Sequence, residues 1–285
     1  MTSSKETAKS LDTLRSRCRA VYTIYGLGLV GALVLLFLRE LSAALLVFIV
    51  LMAMYLFVVQ SEINQYSAKW REHCVRAMTE RFLGPIDYRY KAKASDVPGL
   101  KAHLLLPPGK DSGLLARNTF TAKKAGFDVS WLDATLPVDE NGALRFYSGC
   151  WMGFMAPCRT EQTVYVSLRE VIPNGGYDAY LTGKLNLRRC SAPEGFVRET
   201  AFYTASGELN LPEDVLASLH TLLRSIRGTA AIELGPDGLF IFLHHRLLNM
   251  LPPSLKYPIT EKMVESPTFI EGENAYRLAL TMRAR

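Results

Sequence analysis

The chain has 285 residues, 49% of them hydrophobic, and a net charge of +6 from 33 Lys/Arg and 27 Asp/Glu. The charge is unevenly placed: residues 1–93 hold 13 basic and 7 acidic side chains, and the rest of the chain holds 20 of each. The neutral C-terminal part lacks the basic face that nucleic-acid binding needs, and no nucleic-acid partner is expected. Cys18, Cys74, Cys150, Cys158 and Cys190 have no paired spacing, which favours a reducing cytoplasmic setting over an exported fold held by disulfides.

Residues 1–19 form a basic tail carrying Lys5, Lys9, Arg15, Arg17 and Arg19. Two apolar segments follow, 20–38 and 41–59, without a charge in either and with only Arg39-Glu40 between them. Each is about long enough to cross a hydrocarbon core of ~30 Å as a helix. The second apolar run, and the lack of a small-x-small cleavage site, favour a transmembrane helical hairpin (20–60) over a signal peptide. Lys69, Arg71, Arg76 and Arg81 follow the second span. The positive-inside rule therefore places both termini on the cytoplasmic side of a bacterial cytoplasmic membrane. Arg15, Arg17, Arg19, Lys69 and Arg71 are expected to meet lipid headgroups. Gly26-Leu-Gly28-Leu-Val-Gly31 matches a dinucleotide-binding string, but it lies inside an apolar run with no preceding strand. Gly28, Gly31 and Ala32 are instead read as helix-packing positions, and no cofactor is expected.

Ile63, Tyr66, Trp70, Cys74, Met78 and Phe82 recur at helical spacing, and Gly84-Pro85 supplies a stop. One helix of about 60 Å is predicted over 41–83, its upper part (61–84) an amphipathic stem. The stem is expected to dock on its own soluble domain rather than on lipid.

Residues 85–285 read as a soluble α+β domain. Strands are predicted at 86–92, 126–136 and 163–168, with a turn at 137–142 and a surface loop at 107–113. The run 144–156 is too short to span a membrane and reads as a kinked core strand or as two strands. Residues 177–187 read as strand or loop. The clearest unit is a strand at 196–205, then a helix with Asn210 and Glu213 as a capping box. Leu211, Val215, Leu216, Leu219, Leu222, Leu223 and Ile226 form its apolar face. A hairpin follows, turning at Gly235-Pro236-Asp237-Gly238, and a closing helix or strand is read at 275–283. The predicted fold class is an α+β cytoplasmic domain, an antiparallel sheet with a packed helix, on an N-terminal two-helix transmembrane hairpin.

Phe146-Tyr-Ser-Gly-Cys-Trp-Met-Gly-Phe154 and the run beginning Phe202-Tyr-Thr-Ala-Ser-Gly, followed by a helix and hairpin, carry a resemblance. They are similar to an uncharacterised bacterial family of membrane-anchored domains of unknown function. The resemblance implies location and architecture and transfers no catalytic residue.

Direct signs of chemistry are few. His244 and His245 are adjacent on a strand, so their rings should face opposite ways and not chelate one metal. His73, His103 and His220 are isolated, no metal spacing is present, and no metal is expected. Gly109-Lys110 lacks the phosphate-loop pattern, and there is no G-x-S-x-G elbow. The catalytic candidates are Cys150, Cys158 and His244, against the commoner role of buried cysteine as a small hydrophobe. Asp128, Asp133, Asp139 and Glu140 read as solvated acids, and Lys184, Arg188 and Arg189 as surface charge. The function favoured is non-enzymatic: binding, scaffolding or sensing at the membrane, with the bilayer and another membrane or cytoplasmic protein, or a second copy, as partners. The alternative is a membrane-tethered, hydrolase-like enzyme with a Cys/His site.

Overall fold

The computed structural model describes residues 4–107, 114–140, 143–246, 248, 252–265 and 268–283. Most of the loop expected at 107–113, with Gly109-Lys110, and the end of the turn expected at 137–142 lie outside them. The chain divides into two compact units, Met1–Ala77 with Met250–Pro267, and Met78–Asn249 with Thr268–Arg285.

The first unit is built on two long helices. One runs from Ser4 to Phe37, so the basic tail is its first half rather than a separate segment. Arg39 turns the chain with a left-handed φ of 64°. The second helix, Leu41–Leu83, is 43 residues long and includes one π turn at Tyr55–Val59. It ends where Gly84, at φ 79°, donates its amide to the Glu80 carbonyl. Both helices are long and apolar enough to cross a membrane. Much of their surface is apolar and unburied: Phe37 is 88% exposed, Leu41 72% and Phe57 77%.

Close approach between the helices uses small residues. A Cβ at Gly28 would lie 2.5 Å from Leu51 Cδ2, and Ala32 and Ala44 are buried. Gly31 has nothing within 4 Å and lies on an exposed face. Within the same unit, residues 252–265 are strapped to both helices. Tyr66 donates its hydroxyl to Pro253 O (3.2 Å), Asp12 accepts the Ile259 amide (2.8 Å), and His73 Nε2 is 3.0 Å from Val264 O.

The second unit carries a nine-stranded antiparallel sheet in the order β1-β2-β3-β4-β9-β8-β5-β7-β6. The strands are β1 (Asp87–Ala92), β2 (Leu115–Lys124), β3 (Phe127–Glu140), β4 (Ala143–Met155), β5 (Val164–Leu168), β6 (Arg188–Cys190), β7 (Thr200–Thr204), β8 (Ala230–Gly235) and β9 (Gly238–His244). An α+β domain therefore describes the unit. The aromatic run is one strand, with all 13 residues of β4 paired to β3 in unbroken register. The turn expected from Pro137 starts later, because β3 continues to Glu140. Proline is tolerated there: β2 pairs β3 only as far as Thr135, so Pro137 faces a partner on β4 alone. Residues 177–184 are helical, not strand or loop, and continue from Gly176–Ala179 into a π turn at Tyr180–Lys184. The expected capping box does not form. The helix Glu213–Ser225 starts after Pro212, and no side chain caps it.

The two sheet faces are covered differently. On one, Trp131 and Phe154 meet Phe269 and Tyr276, so the helix Ile270–Met282 lies over them, and Ser218 of Glu213–Ser225 bonds Thr281 beside it. On the other face, Trp151, Phe240, Phe242, Ala231 and Tyr203 are covered by Val97–Leu106, which is mostly turns, and by Val171–Leu181, whose second half is helical.

Candidate functional site

The expected cysteine chemistry finds little geometry. Cys150 is fully buried, and its Sγ is 4.0 Å from Trp151 O. Burial first, then the charge of Asp133, pushes its thiol well above the usual range. Cys158 contacts Ala156 O at 3.4 Å, and burial pushes it up to about 11. A nucleophilic cysteine needs a lowered value. Neither thiol has a hydrogen bond to a histidine among the described residues.

His244 ends β9, where Thr229 Oγ1 is 3.3 Å from its Nδ1. The expectation that the two histidine rings point apart is corrected. His245 has a φ of 60°, which swings its ring onto His244 at 3.6 Å between centroids. Burial, then the neighbouring His245, lowers His244 to about 4. The pair lines a cavity of about 270 Å³ with Arg227, Arg246 and Glu271. Among the described residues, no three His, Cys, Asp or Glu side chains are grouped to hold a metal.

The headgroup candidates divide. Arg15 is 6% exposed, pairs with Asp12 at 2.7 Å and donates to Leu255 O at 2.7 Å, so it is an internal strut instead of a lipid contact. Arg17 pairs with Glu62 (3.1 Å) and Lys69 with Glu72 (3.3 Å), both with exposed basic ends. Arg19 is exposed, and the Arg71 side chain is half-buried. Of the acids read as solvated, Asp133 is buried. It accepts from Asn118 Nδ2 and the Leu248 amide, both at 2.6 Å, and Tyr88 extends this network through Asn118. Asp128 is exposed and paired with Lys123, and Glu140 takes Arg145 and the Tyr147 hydroxyl.

The densest chemistry lies on the second sheet face, at residues the sequence gave no reason to group. Directly opposed residues of antiparallel strands share a face. The register therefore aligns Phe240 (β9), Glu233 (β8), Tyr165 (β5), Tyr203 (β7) and Arg189 (β6) in one row. Glu233 is a charged side chain only 10% exposed. Its Oε1 lies 2.8 Å from His103 Nδ1, and Tyr165 stands directly opposite it on β5. His103 is held from three sides. Its ring stacks on Phe240 at 3.6 Å and 5°, Nδ1 meets Glu233, and its carbonyl accepts Trp151 Nε1–H at 2.9 Å.

Three further tyrosines close the group. Tyr203 donates to Asp178 Oδ1 at 2.6 Å. Tyr180 lies 6.3 Å from Tyr177, ring to ring. The Tyr177 hydroxyl is wholly buried and has no hydrogen-bond partner among the described residues. Burial raises all four phenols, with neighbouring Glu233 contributing at Tyr165, Tyr177 and Tyr180, so each stays a neutral donor. A cavity of about 190 Å³ opens on Glu233, His103, Tyr165 and Tyr180, with Leu104–Leu106 and Leu185 as apolar wall and Lys101 also lining it. A wider cleft of about 580 Å³ lies over Tyr177, Asp178, Tyr203 and Arg189. Its charges are mostly exposed, and Arg169 there is already paired with Glu199. The smaller cavity is the better candidate, because it holds a buried charge.

Comparison with protein families, characterised proteins and solved structures returned no match. The roles of these residues rest on their geometry alone.

Proposed function

We propose that this chain is a membrane-anchored binding domain, sensory in type, whose ligand site is the Glu233 cavity of the sheet unit. The observation that carries it is the buried Glu233–His103 pair lining an open cavity. A cavity with apolar wall and a few convergent polar groups is the usual form of a small-molecule site. In support of anchoring, the apolar surface of the two long helices would be costly to leave in water. The positive-inside pattern puts both termini and the sheet unit in the bacterial cytoplasm. The bilayer is then one partner, and a membrane or cytoplasmic protein, or a second copy, receives the signal.

One feature favours enzyme chemistry. A histidine oriented by a carboxylate is a general-base arrangement. The hydroxyls around it are phenols held protonated, and neither candidate thiol is activated, so binding is the better-supported function.

The ligand-binding reading is tested by thermal-shift screening of the full chain in mild detergent against a broad metabolite panel. A raised midpoint lost in His103→Ala supports it, and no response to any class sinks it. Topology is tested with Ser206→Cys and a membrane-impermeant maleimide. Protection in intact cells, with labelling after permeabilisation, is expected, and labelling in intact cells contradicts the cytoplasmic placement.

A further inference from the structure

We propose that the Glu233 cavity takes a small amino-acid-like zwitterion, its ammonium on Glu233 and its acid group toward Lys101. The inference rests on the ligand-binding function proposed above and adds the chemical class. Two observations select that class.

The first is charge. Glu233 is buried, and its basic neighbour His103 is cationic only when protonated. A buried carboxylate is strongly destabilised unless a cation or several donors compensate it. An incoming ammonium supplies both a full charge and three donors. The phenols of Tyr165 and Tyr180 line the same cavity and remain neutral, so they do not compete for the cation. Their rings add favourable quadrupole contacts to an ammonium lying over a ring face.

The second is the opposite pole. Lys101 is exposed while the Glu233 side chain is buried, and both line the cavity together with Leu104, Leu106 and Leu185. A simple amine would meet an unfavourable like charge at Lys101. A molecule with an acid group at its other end meets a favourable one. A volume of about 190 Å³, at about 30 Å³ per water, leaves room for roughly five to eight non-hydrogen atoms.

The test is isothermal titration of the full chain in mild detergent with glycine, β-alanine, γ-aminobutyrate, ethylammonium and acetate. At least one zwitterion binds, ethylammonium binds more weakly, and acetate does not bind. Glu233→Gln lowers zwitterion affinity about tenfold or more, as expected for a lost charge-assisted hydrogen bond. Lys101→Gln weakens the zwitterions and leaves ethylammonium unchanged or tighter. Acetate binding as well as the zwitterions, or Glu233→Gln without effect, overturns the proposal. If Glu233→Gln does not fold, the Lys101→Gln result decides it alone. Silence from these probes with a response to another metabolite class overturns the zwitterion and leaves ligand binding standing, whereas silence from every class removes both.

Discussion

The long helices and the sheet face beneath Val97–Leu106 arrange polarity in opposite ways. On the helices, large apolar side chains such as Phe37, Leu41 and Phe57 are exposed, while Arg15 is buried as a strut to Leu255. In the sheet unit Trp131, Trp151, Phe240 and Phe242 are buried, and a charged Glu233 lies beside a cavity among buried aromatic rings. Each inversion is unfavourable in water unless something outside the chain compensates. On the function proposed above, that is a hydrocarbon layer for the helices and a ligand for the sheet face. Stability and function are thus separable: the sheet face packed under Ile270–Met282 holds the fold, and the opposite face keeps polar groups open.

The contrast can be broken from either side. Trp131→Ala removes a buried ring that meets Phe120, Phe154 and Phe269 on the helix-covered face. It should cost about 3–5 kcal/mol in chemical unfolding. Val50→Arg places a charge on the exposed apolar surface of the second helix and should disfavour insertion by about 2.5–3.5 kcal/mol, read as loss from the membrane fraction. Phe146→Lys, exposed in the sheet unit, should change stability by less than about 0.5 kcal/mol.

Smaller effects sharpen the helix side. Arg15→Ala removes a buried charged donor to Asp12 and Leu255 and should cost about 1.5–3 kcal/mol, with faster proteolysis of residues 252–265. Arg19→Ala should leave both unchanged. Gly28→Val forces a side chain against Leu51 and should cost about 1–3 kcal/mol in thermal stability, whereas Gly31→Val, with open space around it, should not. A further effect is in pH. His244 is lowered from 6.5 to about 4, so the unfolded chain takes up the proton first as pH falls. Stability should decline between pH 6.5 and 4 and level off below. His244→Gln should flatten that window in pH-dependent denaturation.

Much of the framework could be read from the sequence because it rests on local periodicity. The continuous helix to Leu83, the apolar face of Glu213–Ser225 and the hairpin at Gly235–Gly238 are each set within a short stretch of residues. β2 escaped notice because Asn118, at φ 46°, breaks its alternation with a bulge against β3. β3 was cut short at Pro137, since sequence does not reveal that β2 ends beside it. The candidate site was the least legible part. Its members come from positions 103, 165, 180 and 233; strand register joins Tyr165 to Glu233, and the other two arrive on segments packed over the sheet face. One signal was present: Glu233 is the lone charge in Ala-Ala-Ile-Glu-Leu-Gly, a strand buried on both faces. Likewise Arg15 read as a headgroup ligand because Leu255, 240 residues away, is invisible to local charge counting.

The claim that this is an anchored protein is tested most directly by alkaline carbonate extraction of membranes from cells expressing the full chain. The account predicts that the protein stays in the pellet and is released only by detergent. Release into the carbonate supernatant would contradict it, and would turn the exposed surface of the two helices into a site for another protein instead of lipid.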